Sequence, residues 1–313
     1  MDEIIDKISV LNFGFTEVGT ITPLPQYGNP KPRIFRLEKD KAIINRNGFN
    51  NLGMAQAIKK LKNYRKKFPV GSDFILGVNI GPNKDSNDRF NDYEILSKNL
   101  SEFADYLTIN ISSPNTPNLR DFHQTNNLKK VLTSVKNGIA KSKSLDLPLP
   151  IFLKIAPDIS KNDLKQIIET ANENNISGLI ISNTTVDRNK ELQSDNLYET
   201  GGLSGIPLFN KSTNFLALAS KIIKIKKYNL YLIAAGGVSD SKSAYAKILC
   251  GAHLVQLYSS MTFDGPLIAE NILKGLLQLM NRDKISSIKD IRGIVDNPED
   301  AMKIANNGLK DYL

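Results

Sequence analysis

Seven short apolar runs, each followed by an amphipathic stretch, constrain this chain more than any other feature. They are residues 14–20 (GFTEVGT), 73–79 (DFILGVN), 106–112 (YLTINIS), 150–156 (PIFLKIA), 178–184 (GLIISNT), 230–237 (LYLIAAGG) and 253–259 (HLVQLYS). Most are dense in Ile, Leu or Val rather than cleanly alternating, as strands covered on both faces of a parallel sheet are. Between them, Tyr93, Leu96, Leu100 and Phe103 share a helical face, as do Leu128, Val131, Val135 and Ile139. Ser160 followed by Asp163 marks a helix start, with Leu164, Ile167 and Ala171 inward, and Pro266 opens a helix through Leu273 and Leu277. Strand then helix, repeated, is an α/β fold. The chain itself opens on a helical face of Ile4, Ile8 and Leu11, which Gly14 can end. A helix and then seven strand–helix units is the pattern of a (β/α)8 TIM barrel lacking its first strand. An open seven-stranded sheet is the alternative.

The 313 residues suffice for two ordinary domains or one large barrel. We read a single domain over 1–313, with a barrel core at 1–281 and a polar, helical tail at 282–313. Two insertions break the rhythm, both after strand ends, on the face where barrels hold substrates. Residues 21–49 contain a Pro-rich segment and a hairpin, RIFRLEKDKAIIN; residues 185–206 end in GGLSG. No run approaches the roughly 18 apolar residues of a membrane span. The start MDE lacks the basic, then apolar pattern of a secretory signal, so an intracellular chain is expected. One cysteine, Cys250, rules out an internal disulfide and argues against a cysteine metal site. A net charge of +9 suits small anions or an anionic surface, but the lysines are scattered and no nucleic-acid signature is present.

Polar residues sit where the apolar strands end. Asn79, Asn110, Lys154, Ser182 and Asn183 occupy equivalent C-terminal ends, and an unpaired buried polar group costs about 1–3 kcal/mol. Five together point to a polar pocket. Lys154 is the sharpest of them, because a buried lysine needs an anion or a π-system beside it. The last two strands close on Ala235, Gly236, Gly237 and on Tyr258, Ser259, Ser260. Small residues let backbone N–H groups approach a phosphate there, with a helix N-terminus to follow. His123 and His253 have contexts that do not suggest a catalytic base, and no metal or glycosidase pattern is present. A serine can act as base only with desolvation and a proton relay.

The stretch Asn110, Ile111, Ser112, Ser113, Pro114, Asn115, Thr116 resembles the active-site loop of the dihydroorotate dehydrogenases. The resemblance implies that Ser113 is the base that removes a proton from C5 of dihydroorotate, with hydride from C6 passing to N5 of FMN. Serine at this position, where the soluble class has cysteine, resembles the quinone-using class. GTITPLPQYGNPKPRIFRL at 19–37 resembles the flavin-side loop and puts Thr20 on FMN. INRNGFNN at 44–51 resembles the loop for the substrate carboxylate, implying Asn45, Arg46, Gly48 and Phe49; Asn47 replaces a residue that is usually apolar. GVNIGPNK and LKIAPD give Asn79 and Lys154 to the flavin, the lysine beside its N1–C2 edge. ISNTT gives Ser182 to FMN and Asn183 with Thr184 to the pyrimidine; Asn110 and Asn115 flank Ser113 and would bond the substrate ring. Gly205 is implied at the flavin, and Gly237, Tyr258 and Ser259 at its phosphate.

The match covers about residues 2–280. It implies orotate formation in pyrimidine biosynthesis, electrons passed to a quinone, and peripheral attachment at the cytoplasmic face of the membrane; the sequence does not give the oligomeric state, and a monomer is favoured. The family's first barrel strand and the quinone class's N-terminal helical domain fall before Met1 in this alignment. Two further readings stay open: a non-catalytic remnant or binding protein with the same signature, and another FMN barrel acting on a related pyrimidine.

Overall fold

The fold is seen in a computed structural model, which describes residues 11–116, 119–142 and 148–311. The helix expected from Ile4, Ile8 and Leu11 lies largely outside the described residues. Among the described residues there are ten strands: β1 (Phe15–Ile21), β2 (Ile34–Leu37), β3 (Ala42–Asn45), β4 (Ile75–Ile80), β5 (Tyr106–Asn110), β6 (Ile151–Ile155), β7 (Gly178–Ile181), β8 (Gly202–Gly205), β9 (Tyr231–Ala235) and β10 (Leu254–Gln256). The helices that follow the barrel strands are α1 (Gly53–Lys67), α2 (Arg89–Leu100), α3 (Thr125–Ala140), α4 (Lys161–Glu173), α5 (Phe209–Lys226) and α6 (Ser241–Leu249). After β10 come α7 (Ser260–Asp264), α8 (Ile268–Arg282), α9 (Ile288–Ile291) and α10 (Pro298–Asn307).

Seven strands form one parallel sheet in the order β1-β4-β5-β6-β7-β9-β10. The order never reverses, so the sheet is not doubly wound, a fold in which strand order turns back at a switch point. It is the curled wall of a barrel, with β1 and β10 as the terminal strands among the described residues. The seven expected runs all became strands of this sheet. β1 and β4 reach one residue past their runs, and the other five end one to three residues early, as where Ser112, Ser182 and Gly236 leave the ladder for loops.

Two apolar layers result from strand alternation. Val18, Leu76, Val78, Leu107, Ile109, Leu153, Leu179 and Leu232 face the helices and join the main core. Phe15, Ile75, Tyr106, Phe152, Ile180, Ile233 and Ala235 point the other way and fill the barrel floor. Above that floor the inward positions turn polar, at Glu17, Thr108, Lys154 and Gln256. The Ser160 start is a full capping box: its hydroxyl accepts from Asp163 N–H, and the Asp163 carboxylate answers the Ser160 backbone.

The two insertions meet. β2, β3 and β8 form a separate antiparallel sheet, with Asn45 opposite Gly202 and Ala42 opposite Gly205. Leu37, Ala42, Ile44, Leu192 and Leu203 give it a small core of its own. The segment from 282 onward packs on the barrel, with Ile291, Ala301, Ile304 and Ala305 in the main core.

Candidate active site

Three of the strand ends named from the sequence, Asn79, Asn110 and Lys154, are joined by one chain of side-chain contacts at the mouth of the barrel. Asn110 Nδ2 donates to Thr20 Oγ1 at 2.9 Å, and Thr20 Oγ1 donates to Asn79 Oδ1 at 2.7 Å. Asn79 Nδ2 in turn donates to Glu17 Oε1 at 2.8 Å, and Lys154 Nζ lies 3.5 Å from that oxygen. Glu17 is the anion that Lys154 requires. Its side chain is 12% exposed. Burial pushes its carboxyl up, but Lys154 and the Asn79, Thr108 and Gln256 donors outweigh burial and hold it below the usual carboxylate range.

Ser113 follows β5 and is 5% exposed. Its Oγ accepts from Asn115 N–H at 3.2 Å. Asn115 Nδ2 donates to the Asn45 carbonyl at 3.0 Å, tying the serine loop to β3. On the other side Asn183 Nδ2 donates to Ser112 Oγ at 2.9 Å, and Asn110 Oδ1 accepts from Ser112 N–H at 3.2 Å. The Thr116 hydroxyl, in the same loop, is buried without a hydrogen-bond partner among the described residues. Pro114, Thr184 and Gly202 converge: a Cβ on Gly202 would lie 2.0 Å from Thr184 Oγ1 and 3.2 Å from Pro114 Cγ. Phe49 and Thr20 meet across Gly81, whose Cβ would lie 3.1 Å from the Phe49 ring and 2.7 Å from Thr20 Cγ2. Gly48 takes a left-handed φ of 69°, and its carbonyl accepts from Gln26 Nε2 at 2.8 Å.

Arg46 stands apart from its neighbours. Its guanidinium donates to Glu199 Oε2 at 2.6 Å and stacks 4.5 Å over the Phe35 ring, so it braces the β2–β3 hairpin against the 185–206 insertion.

A second group of small residues gathers where β8, β9 and β10 end. Ser259 Oγ donates to Ser204 Oγ at 2.8 Å, beside Gly205. Ser182 N–H donates to the Ala235 carbonyl at 3.0 Å, just before Gly236 and Gly237. A recess of about 10 Å3 is lined by Gly205, Val238, Ser239 and Ser260. Tyr258, by contrast, is 69% exposed and does not line this recess.

The sequence singled out neither Glu17 nor a buried hub at Asp158. Arg120 Nη2 lies 3.0 Å and Lys211 Nζ 2.6 Å from the Asp158 carboxylate, which also accepts from Val186 N–H at 3.0 Å and from the Thr185 hydroxyl. Arg120 reaches on to the Ser112 carbonyl at 3.4 Å. Burial pushes the Asp158 carboxyl up, and Lys211, Thr185 and Val186 bring it below its ordinary value. The one signal was a lone acid after a strand, in APD.

The two histidines play no part in the mouth. Burial pushes each down to about 4, and His253 Nδ1 accepts from Leu232 N–H at the opposite end of β9. Cys250 is buried and pushed up to about 12 by burial, an unreactive thiol. Among the described residues no acid–histidine–cysteine cluster could hold a metal, and no helix is long and apolar enough to cross a membrane.

A family model for dihydroorotate dehydrogenase matches residues 1–280. The dihydroorotate dehydrogenase (quinone) of Bartonella tribocorum is 46% identical over 291 residues, covering 93% of this chain and 78% of that protein. That of Mesorhizobium japonicum is 47% identical over 290 residues, with the same coverages. A crystal structure of DHODH from Eimeria tenella in complex with ferulenol superposes with a TM-score of 0.86 at 38% identity, covering 92% of this chain and 80% of that one.

Proposed function

This chain belongs to the dihydroorotate dehydrogenase family, and from that premise we propose that it oxidises dihydroorotate to orotate with FMN and passes the electrons to a quinone. The observation that carries the reading is Ser113. It is a nearly buried hydroxyl on a loop fastened to Asn45 on one side and Asn183 on the other.

The residues fit a flavin nucleotide. Gly205 and Gly237 leave no room for a Cβ, which would lie 2.3 Å from the Lys41 carbonyl and 2.4 Å from Phe209 Cα. That backbone, with Ser259, would hold the phosphate of FMN. Thr20, Asn79, Asn110 and Ser182 would line the ring, and Lys154 would lie at its N1–C2 edge. When bound, FMN supplies the hydride acceptor at N5, which takes hydrogen from C6 of dihydroorotate.

Ser113 removes the proton at C5. Burial of Ser113 and Thr116 favours this, and the Thr116 hydroxyl, which has no partner among the described residues, would relay the serine's own proton onward, since an isolated alcohol is a weak base. Asn110, Asn115, Asn183 and Thr184 orient the pyrimidine, and Asn45 with the Gly48 and Phe49 backbone receives its carboxylate. Arg46 acts on that loop through Glu199. The names of the Bartonella and Mesorhizobium relatives favour a quinone as acceptor, and serine rather than cysteine at 113 agrees.

The test is Ser113→Ala. The variant is expected to stay yellow while bleaching by dihydroorotate slows about 100- to 10,000-fold in stopped flow. Reduction at the normal rate removes Ser113 as the base. An unmodified chain that binds flavin but is bleached only by dihydrouracil would move the reading to a related pyrimidine.

A further inference from the structure

Lys247, on α6, is 0% exposed and has no carboxylate partner among the described residues. Its Nζ donates to Ser212 Oγ at 2.6 Å and lies 5.2 Å from the centre of the Phe209 ring. Both partners belong to the first turn of α5. An ammonium buried with a hydroxyl and a ring is poorly compensated, because such a charge ordinarily demands a counter-ion.

The next contacts lead from Ser212 to the double glycine. Ser212 Oγ lies 2.9 Å from the Gly236 carbonyl and 3.1 Å from the Phe209 carbonyl, and donates its single proton between them. Gly236 and Gly237 press on the same turn: their Cβ positions would fall 2.8 Å from Leu208 and 2.4 Å from Phe209 Cα. Lys247, Ser212 and the double glycine are therefore one packed unit, with the lysine on the inner side.

We infer that Lys247 is a positioning residue for the cofactor's phosphate, holding the Gly236 and Gly237 backbone through Ser212 and supplying a buried positive charge behind it. The inference rests on the flavin reading above and adds a residue to it. The bound phosphomonoester is the missing counter-charge.

A proton linkage follows. Burial pushes the Lys247 ammonium down to about 7, so without an anion it loses its proton as pH rises through neutrality. An anion behind the glycines holds that proton to higher pH. Phosphate affinity is then greatest below about pH 7 and falls above it. The other ionisable groups at this spot are Cys250, one turn along α6, and Asp296 and Glu299, which act on Cys250. The thiol, pushed up to about 12 by burial, stays neutral over the range used.

The experiment titrates the full chain, stripped of flavin, with FMN and with riboflavin, following flavin fluorescence at pH 7 and pH 9. FMN's own second phosphate ionisation, near pH 6, is then complete. The unmodified chain is expected to prefer FMN at pH 7 and to lose about tenfold or more of that preference at pH 9, the tenfold per unit that a displaced pKa carries. In Lys247→Met the FMN affinity is expected to fall about tenfold or more at pH 7, riboflavin affinity to stay unchanged, and the pH dependence to flatten. Equal loss of both flavins, or a preference for FMN that survives the substitution or ignores pH, overturns the inference. An unmodified chain that binds neither flavin overturns instead the reading on which it rests.

Discussion

A carboxylate carried into a barrel interior costs several kcal/mol unless its charge and lone pairs are met. At Glu17 they are met by Lys154, Asn79, Thr108 and Gln256, from four different strands. Removing one partner of such a pair leaves the other stranded. Glu17→Gln is expected to lower unfolding free energy by about 3 kcal/mol, and the double variant with Lys154→Met to recover much of it, as read from urea denaturation midpoints. A single variant as stable as the parent would show that Lys154 needs no counter-charge. The sequence showed that Lys154 required an anion but not which one. Glu17 stands in a run that also holds Thr16 and Thr20, and nothing local marks its side chain as inward until the sheet curls. Asn79 and Asn110 were legible because a polar residue closing an Ile- and Leu-rich strand contradicts its surroundings, whereas Ser113, three residues past the strand, was singled out only by the resemblance of its loop.

At the scale of elements, strand identity was readable from density of apolar residues, and the hairpin from its turn. The pairing of β3 with β8 was not. GLSG carries no apolar run, and its partner lies about half the chain away, so no local pattern could join them. The joined sheet has a core separate from the barrel's, in which Ile44 is fully buried. Ile44→Ala is expected to cost about 2–5 kcal/mol within that sheet. Because Asn45 follows directly, KM for dihydroorotate should rise several-fold, with kcat less affected, in steady-state assays. A variant with unchanged KM would detach the small sheet from substrate binding.

At the scale of the molecule, several buried groups act together on acid stability. His123 and His253 have native values near 4 against an ordinary 6.5. The unfolded chain therefore binds protons first as pH falls from 6.5, and stability is lost between there and about 4. For the buried His123 alone the loss approaches roughly 3 kcal/mol. Glu17, Asp158 and Asp283 are depressed in the native state, so their contribution is full above about pH 4 and is lost as pH falls below it through their native values. Denaturant midpoints should fall in two stages, from pH 7 to 4 and again below 4. His123→Phe should flatten the first stage; a parent midpoint flat from pH 7 to 4 would contradict this assignment.

The strand order also bears on the timing of assembly. Each barrel strand pairs with the barrel strand made just before it, so the wall can be laid down in step with synthesis, as nearest-neighbour topologies allow. The small sheet breaks that sequence. Asn45 emerges early, yet the Gly202 it faces follows 157 residues later. The side of the site built on Asn45 must therefore remain half-made while four further barrel strands are added, and it acquires its shape only after most of its scaffold already exists.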